Sequence, residues 1–449
     1  MLMNKNAQSE AETVINDLMK LHPKGFDMTL GRMRRLLDVL GNPQDRLPPM
    51  IHVAGTNGKG SVSAFSRALL EAGGHAVHVH TSPHLVHWHE RYRMGRTGEP
   101  GQLVADSLLA DALRRVAEAN AGQAITVFEI LTAAGFLLFS ESPADAVIIE
   151  VGMGGRLDCT NVVDRPAVSV IMPISFDHQA YLGDRVELIA AEKAGIMKKG
   201  CPVVIGHQEF DAAEEVLVAT AERLGCPLSV YGQDFSAHEE FGRLIYQDDR
   251  GLADLPLPRL PGRHQLANAA AAIRAVRAAG FEVTEIMMEQ AMLNVEWPGR
   301  LQRLTEGSLI PLAPKGAEIW VDGGHNPGAG EVIAEAMAAF EEKQPRPLYL
   351  ITGMLNTKDP VGYFRAFADI AECVFTVPIF GSDAGLDPVA LANSAFDAGL
   401  VAEPHSTVAE ALTEISDRQL EGDAPPRILI GGSLYLAGNV LAANGTPPA

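Results

Sequence analysis

The chain has 449 residues, and its 56 acidic side chains outnumber 36 basic ones, for a formal net charge of −20. That excess argues against a general nucleic-acid binder or an anionic-membrane binder, though a few placed cations and a metal ion can reverse the sign locally for a small anionic ligand. With 47% hydrophobic and 20% charged residues, the composition excludes a disordered chain and at this length suits about two to three domains.

The first residues, MLMNKNAQSEAE, are polar and carry no signal-peptide apolar core. The longest apolar run, near 130–139, is shorter than the ~20 residues a bilayer span needs. The four cysteines (Cys159, Cys201, Cys226 and Cys373) lack metal-ligand spacing, so reduced thiols in a cytoplasmic protein are expected. Neither nucleic acid nor membrane is an expected partner, and a monomer is the expected state.

From residue 50, apolar runs rich in β-branched residues at 50–54, 76–80, 145–151, 168–173 and 202–206 read as strands buried on both faces. Helical patterns near 60–73, 104–120, 127–141, 185–198 and 211–224 lie between them. That βαβα order predicts a doubly wound sheet. Residues 240–263 read as a hairpin and an extended segment, followed by an Ala-rich helix at 264–280. A second alternating set follows, with strands at 317–321, 347–352, 373–377 and 427–430 and helices at 328–342, 360–371, 387–398 and 407–419. The expected fold is α/β: over 1–296 a doubly wound N-terminal domain, which the glycine-rich GTNGKGS at 55–61 marks as a P-loop ATPase domain, and over 297–449 a smaller Rossmann-like α/β C-terminal domain. Only the tail AANGTPPA reads as disordered.

The sharpest local signal is HVAGTNGKGS at 52–61, where a strand meets a glycine-rich turn that opens a helix. Glycines let backbone N–H groups converge on a phosphate, and the helix N-terminus adds partial positive charge. Gly55, Thr56, Asn57, Gly58, Lys59, Gly60 and Ser61 are therefore candidate ATP contacts, with Lys59 along the β/γ-phosphates and Ser61 within reach of Mg²⁺. The spacing departs from G-x₄-G-K-[ST]: Val53 holds the first-glycine position and Gly60 separates Lys59 from Ser61. A plain glycine turn is the competing reading.

Other candidates follow strand ends, where ligands of open parallel sheets gather. Ser82 follows the second strand and can offer a hydroxyl to a metal; a turn or N-cap role competes. Glu150 ends the run 146–149, and an ionised carboxylate there is costly unless a cation neutralises it. A solvent-exposed strand end is its alternative. His178 lies beyond the next strand with Asp177 placed to orient it, as metal ligand or as structural histidine. Lys193, beside Glu192 on a helical pattern, reads from the pattern alone as part of a solvated charged pair.

These residues stand in a longer ordered match. The chain resembles the folylpolyglutamate synthase/dihydrofolate synthase family of Mur ligase-like ATP-dependent amide-bond ligases. The match runs through TSPHL at 81–85, EVGMGGRLDCTN at 150–161, EKAGI at 192–196, GRHQLANA at 262–269, WPGRLQ at 297–302, DGGHNP at 322–327, GMLNTKD at 353–359 and GSLYLAG at 432–438. The resemblance implies that ATP phosphorylates a pteroate or folate carboxylate and that the glutamate amine attacks the acyl phosphate. It implies one Mg²⁺ near Ser82 and Glu150, and a second held by Glu150, His178 and a carbamylated Lys193. It places Asn268, Arg300 and Asp322 at the nucleotide. It places Thr126, Val127, Phe128, Glu129, Leu157, Asp158 and Cys159 at the pterin, with Leu21, His22 and Pro23 as further contacts. Lys59, Glu150, His178 and Lys193 are the implied catalytic set.

Three departures stand out. Cys159 stands where many relatives have Ala, Gly324 where many have Ala, and Asn356-Thr357 where an acidic residue is common, and the last pair is given no role. The alternatives are a Mur-type ligase with another amino-acid acceptor and a P-loop phosphotransferase that performs no ligation. A binding protein without catalysis is disfavoured by the intact Lys59, Glu150, His178 and Lys193.

Overall fold

The computed structural model describes residues 9–20, 29–420 and 422–448. Expectations for Leu21, His22 and Pro23 lie outside the described residues.

The first sheet has eight strands: β1 (Met50–Ala54), β2 (Val77–His80), β3 (Tyr92–Arg96), β4 (Glu99–Leu103), β5 (Ala146–Glu150), β6 (Val168–Ile171), β7 (Val203–Ile205) and β8 (Leu228–Val230), in the order β4-β3-β2-β5-β1-β6-β7-β8. The six from β2 to β8 in that order run parallel, and β3 and β4 add an antiparallel edge. Burial on both faces explains the apolar strands. In β5, Ala146 and Ile148 enter the core beneath helices Lys59–Ala72 and His264–Ala278, while Val147 and Ile149 enter the core beneath Asp106–Asn120 and Val127–Glu141. Alternation of side chains then makes all four of these positions apolar.

A three-stranded antiparallel sheet, β9 (Ser236–Glu240), β10 (Arg243–Asp248) and β11 (Gly251–Pro256), follows. It has one strand more than the expected hairpin. The second large sheet has six strands: β12 (Gln302–Leu304), β13 (Glu318–Val321), β14 (Leu348–Thr352), β15 (Ala371–Thr376), β16 (Ala402–Pro404) and β17 (Arg427–Gly431), in the order β12-β13-β17-β14-β15-β16. The chain crosses from one assembly to the other between helix Glu285–Asn294 and β12. The helix expected at 360–371 is only Pro360–Arg365, because β15 begins at Ala371. The tail expected to be disordered starts inside helix Leu434–Asn444, which buries Leu436, Val440 and Leu441.

Candidate functional site

The ends of β2, β5, β1 and β6 are neighbours in the sheet, so the segments following them converge. Val53 pairs with Glu150, and Ala54 with Ile171. The glycine loop leaves β1 at Gly55, where φ is +151° and a Cβ would lie 2.7 Å from Met172 Cβ. Thr56 and Asn57 donate their N–H groups to Pro173 O at 2.8 and 3.2 Å. Thr56 Oγ1 donates to Ser175 O and accepts from Ser175 N, both at 3.1 Å. The loop is thus laced to the β6 end before helix Lys59–Ala72 begins. Gly58, at φ +80°, faces Asn268: a Cβ there would be 2.9 Å from Asn268 Oδ1. Asn268 Nδ2 donates to Gln265 Oε1 at 3.0 Å, and Gln265 Nε2 to the buried Ser61 Oγ at 3.4 Å. Helix His264–Ala278 therefore backs the loop.

Lys59 Nζ donates to Thr56 O at 3.1 Å. Desolvation lowers its ammonium below the ordinary lysine range, while Glu150 and Asp177 pull it back up. Glu150 is 5% exposed. Among the described residues its hydrogen bond is the long one from Ser82 N, 3.4 Å. Burial raises its pKa against the opposing pull of Lys59, then of the Ser82 N–H, Arg300 and Arg91. A buried carboxylate with one long hydrogen bond, in a cavity that Ser82 also lines, suits a hard divalent cation, which takes oxygen donors. A cavity of about 570 Å³ lies here, lined by Ser82, Glu150, Trp297 and Arg300 among others.

Lys193 is 5% exposed and donates to Gly55 O at 2.9 Å. It is thus no solvated helix lysine. Desolvation, then the Lys59 charge, brings its pKa down to about 7. Its neighbour Glu192 instead pairs with Arg156 at 2.8 Å. His178 is exposed, at φ +52°. Burial of part of the ring lowers its pKa to about 4 despite Asp177. Its Nε2 lies 3.9 Å from Asp177 Oδ2. Glu150, His178 and Lys193 thus hold different partners, and among the described residues no three His, Cys, Asp or Glu side chains are gathered as a metal-binding group.

Asp177 does more than sit beside His178. It accepts from Lys358 Nζ at 2.6 Å and Asn326 Nδ2 at 3.4 Å, and lies 3.4 Å from His325 Nε2. Burial opposes its ionisation, but His325, Lys358 and His178 outweigh that and hold the carboxyl well below the usual carboxylate range. Asn326 Nδ2 also donates to Asn57 Oδ1 at 3.1 Å. The two sheets are therefore bridged beside the glycine loop. Lys358, His325 and Asn326 carry no local pattern that marks this role, although all three lie in segments of the ordered match.

Asp322 is buried and accepts from Leu301 N at 2.8 Å and Gly324 N at 2.6 Å. Burial raises its pKa, opposed first by Arg300. Arg300 Nη1 donates to Gly299 O at 2.9 Å. After Ser82, Glu90 accepts N–H bonds from Leu85, Val86 and His87 at 2.8, 2.8 and 2.6 Å. That carboxylate fixes the segment, a role with no sequence signal of its own.

The expected pterin residues form a second cluster. Thr126 and Glu129 make a capping box on helix Val127–Glu141, and Glu129 pairs with Arg32 at 3.1 Å. The Phe128 ring lies on Gly152, where a Cβ would fall 2.2 Å from its Cζ. Asp158 accepts from Met153 N at 2.9 Å, Thr160 N at 2.9 Å and Thr160 Oγ1 at 2.6 Å. Its carboxylate therefore holds the loop in shape. Cys159 is buried with Sγ 3.1 Å from Thr132 Oγ1, and burial pushes its thiol pKa up. Val127 and Leu157 are half-buried alongside.

Comparison with known proteins agrees with this geometry. The Mur ligase middle domain family matches residues 53–276. The folylpolyglutamate synthase of Lacticaseibacillus casei is 32% identical over 420 residues, 91% of this chain and 92% of that one. The chain belongs to the folylpolyglutamate synthase/dihydrofolate synthase family. It is a Mur-ligase-type, ATP-dependent amide-bond ligase that joins glutamate to folates. Among solved structures, Escherichia coli FolC in complex with DHPP and ADP superposes with a TM-score of 0.84 at 28% identity, covering 98% of each chain. The bifunctional folylpolyglutamate synthase/dihydrofolate synthase of Yersinia pestis, complexed with AMPPNP and Mn ion, gives 0.83 at 26%, covering 98% of this chain and 99% of that one. Among the described residues no helix is long and apolar enough to cross a membrane.

Proposed function

We propose that this ligase adds L-glutamate both to dihydropteroate and to reduced folates, through an acyl phosphate, as a cytoplasmic monomer. The observation that carries the reading is the buried Glu150 beside the glycine loop, with Lys59 and Ser82 next to it. Phosphorylating a carboxylate brings two anions together, so neutralising their charge supplies much of the catalysis. In this reading the N–H groups of Gly55 to Ser61 cradle the ATP phosphates. Lys59 and Arg300 lie along the phosphoryl oxygens, and Asn268 and Asp322 also contact the nucleotide.

Ser82 and Glu150 would hold one Mg²⁺, and Glu150, His178 and a carbamylated Lys193 a second. When bound, these ions would screen phosphate charge and lower the electrostatic barrier to transfer. The depressed amine of Lys193 supports the carbamate, because only a neutral amine adds CO₂. Phe128, Leu157 and Cys159 form the pterin wall, with Thr126, Val127, Glu129 and Asp158 holding it in shape. The two sheets close over the acyl phosphate and exclude water.

Mass spectrometry of products from dihydropteroate, tetrahydrofolate, glutamate and ATP tests this. Mass gains of one glutamate on both acceptors are expected, with ADP release that depends on glutamate and acceptor. Glutamate-independent ADP release without ligation would instead favour the phosphotransferase alternative.

A further inference from the structure

One of the phosphate loop's two departures from the ordinary pattern is Gly60, set between Lys59 and Ser61. Backbone freedom does not account for it. Gly60 is a helical residue of Lys59–Ala72, outside the positive-φ set that includes Gly55 and Gly58. Space does account for it. A Cβ at Gly60 would lie 2.4 Å from Cζ2, 2.5 Å from Cε2 and 2.6 Å from Nε1 of Trp297. The indole edge therefore rests directly on the first turn of the phosphate helix. Trp297 Nε1 is buried there and finds no hydrogen-bond partner among the described residues. Packing against the first core, not hydrogen bonding, holds the ring.

Trp297 also begins the crossing between the sheets. Three residues later comes Arg300, which lines the same cavity as Trp297, Ser82 and Glu150. The intervening chain is docked on the second sheet's loop. Gly323 N donates to Gly299 O at 2.9 Å, and Leu301 N donates to Asp322 Oδ2 at 2.8 Å. Gly323 leaves room for the guanidinium, since a Cβ there would be 2.6 Å from Arg300 Nη1. The chain segment that carries Arg300 is thus anchored on one side by the indole seated on the phosphate helix and on the other by the Asp322 loop.

We propose that Gly60 and Trp297 form the seat of the interlobe crossing, and that Trp297 is a positioning residue that sets Arg300 against the phosphate loop. The inference rests on the reading of Arg300 as a nucleotide-site residue. It assigns the extra glycine to the indole, and it makes the linker a mechanical tie between the lobe that binds phosphate and the arginine that neutralises it. A misplacement of about 1 Å far from the chemistry can cost roughly 100-fold in rate.

A double-mutant cycle in steady-state ligation tests it, with Trp297→Ala, Arg300→Ala, the pair together, and Gly60→Ala with and without Trp297→Ala. Trp297→Ala is expected to lower kcat by roughly 10- to 100-fold. Arg300→Ala should do the same, and the double variant should be no worse than Arg300→Ala. Gly60→Ala should impair the parent but add no loss where Trp297 is already gone. In a Trp88→Phe/Trp320→Phe background, emission from Trp297 should shift when ADP is added. Fully additive losses for Trp297 and Arg300, or a Gly60→Ala enzyme as fast as the parent, would overturn the seat while leaving the role of Arg300 standing. An Arg300→Ala enzyme with unchanged kcat and KM would instead overturn the reading beneath it. If Trp297→Ala does not fold, Trp297→Leu takes its place in the same cycle and separates the same outcomes.

Discussion

The Asp177–Lys358 pair joins the two sheets beside the site, and replacing Lys358 by Met tests how much depends on it. The two side chains are 10% and 8% exposed and 2.6 Å apart. At an effective dielectric of ~20, two unit charges at that distance attract by about 6 kcal/mol. Desolvating both ions costs several kcal/mol each, so the pair as a whole contributes little net. Removing the lysine alone is different, because it strands a buried carboxylate; such losses run at about 3–5 kcal/mol. The Asn326 amide and His325 remain near Asp177, so the expected loss falls just below that range, at about 2–3 kcal/mol. Urea unfolding at pH 7 measures it. A second change, Asp177→Asn, made in the Lys358→Met background should recover most of the loss.

The pH dependence has a definite sign. Asp177 ionises well below the ordinary carboxylate range. Its contribution is therefore fully present above the unfolded pKa of about 3.9 and is lost as pH falls through the depressed folded value. The gap between parent and variant should hold steady from pH 8 to 5 and close only in acid. A variant as stable as the parent at pH 7 would refute the reasoning. So would a gap that closes between pH 8 and 5, which would mean that a group other than the Asp177 carboxylate sets it.

Three further outcomes are expected. Glu150→Gln should raise the Mg²⁺ concentration for half-maximal rate at least tenfold, because losses from residues that merely support a metal ligand already reach about 10-fold and Glu150 is read as a direct ligand; an unchanged titration removes it from the metal site. Gly152→Ala should drive a methyl into the Phe128 ring, cost about 1–3 kcal/mol of stability, and raise KM for the pterin substrate more than for ATP; equal changes in both would detach Phe128 from the pterin wall. Lys193 has a pKa of about 7, so its amine is mainly ammonium below that value and mainly neutral above it. A carbamate signal in ¹³C NMR with labelled bicarbonate should therefore grow as pH rises through 7, where an ordinary lysine would still be more than ~99% protonated. Its absence at pH 8 in wild type, or its persistence in Lys193→Ala, would discard the carbamate.

The inner parallel strands were legible because burial on both faces writes an apolar run into the sequence, whereas the short parallel edge strands β8 and β16, part-exposed and three residues long, were not. The edge strands β3 and β4 were not. Tyr92–Arg96 and Glu99–Leu103 are half-exposed, hold Gly95, Pro100 and Gly101, and pair on only part of their length. Helix Glu285–Asn294 escaped because its buried residues are Met287, Met288, Ala291 and Met292 among polar neighbours, a weak pattern beside the Ala-rich helix before it. At the site, the glycine loop announced itself because its strand, its glycines, Lys59 and Ser61 are contiguous in the sequence. Lys193 did not: its helix pattern suggests a solvated lysine, and only the fold shows Gly55 O at 2.9 Å and the desolvation that follows.

Lys358 marks the harder limit. Its partner Asp177 is 181 positions away, and neither residue has a local pattern that names the other. Long-range contacts still leave local traces where they demand an odd residue. Gly60 breaks the phosphate-loop spacing, yet its backbone is helical and would accept a side chain. A glycine in a helix is destabilising by about 1 kcal/mol relative to alanine, so one kept where backbone geometry does not require it points to a neighbour pressed against it. Here that neighbour is Trp297, far along the chain, whose Cζ2 would lie 2.4 Å from an added Cβ. The departure from the usual spacing therefore carries information about the second lobe, and that information becomes readable once the ring is found against the helix.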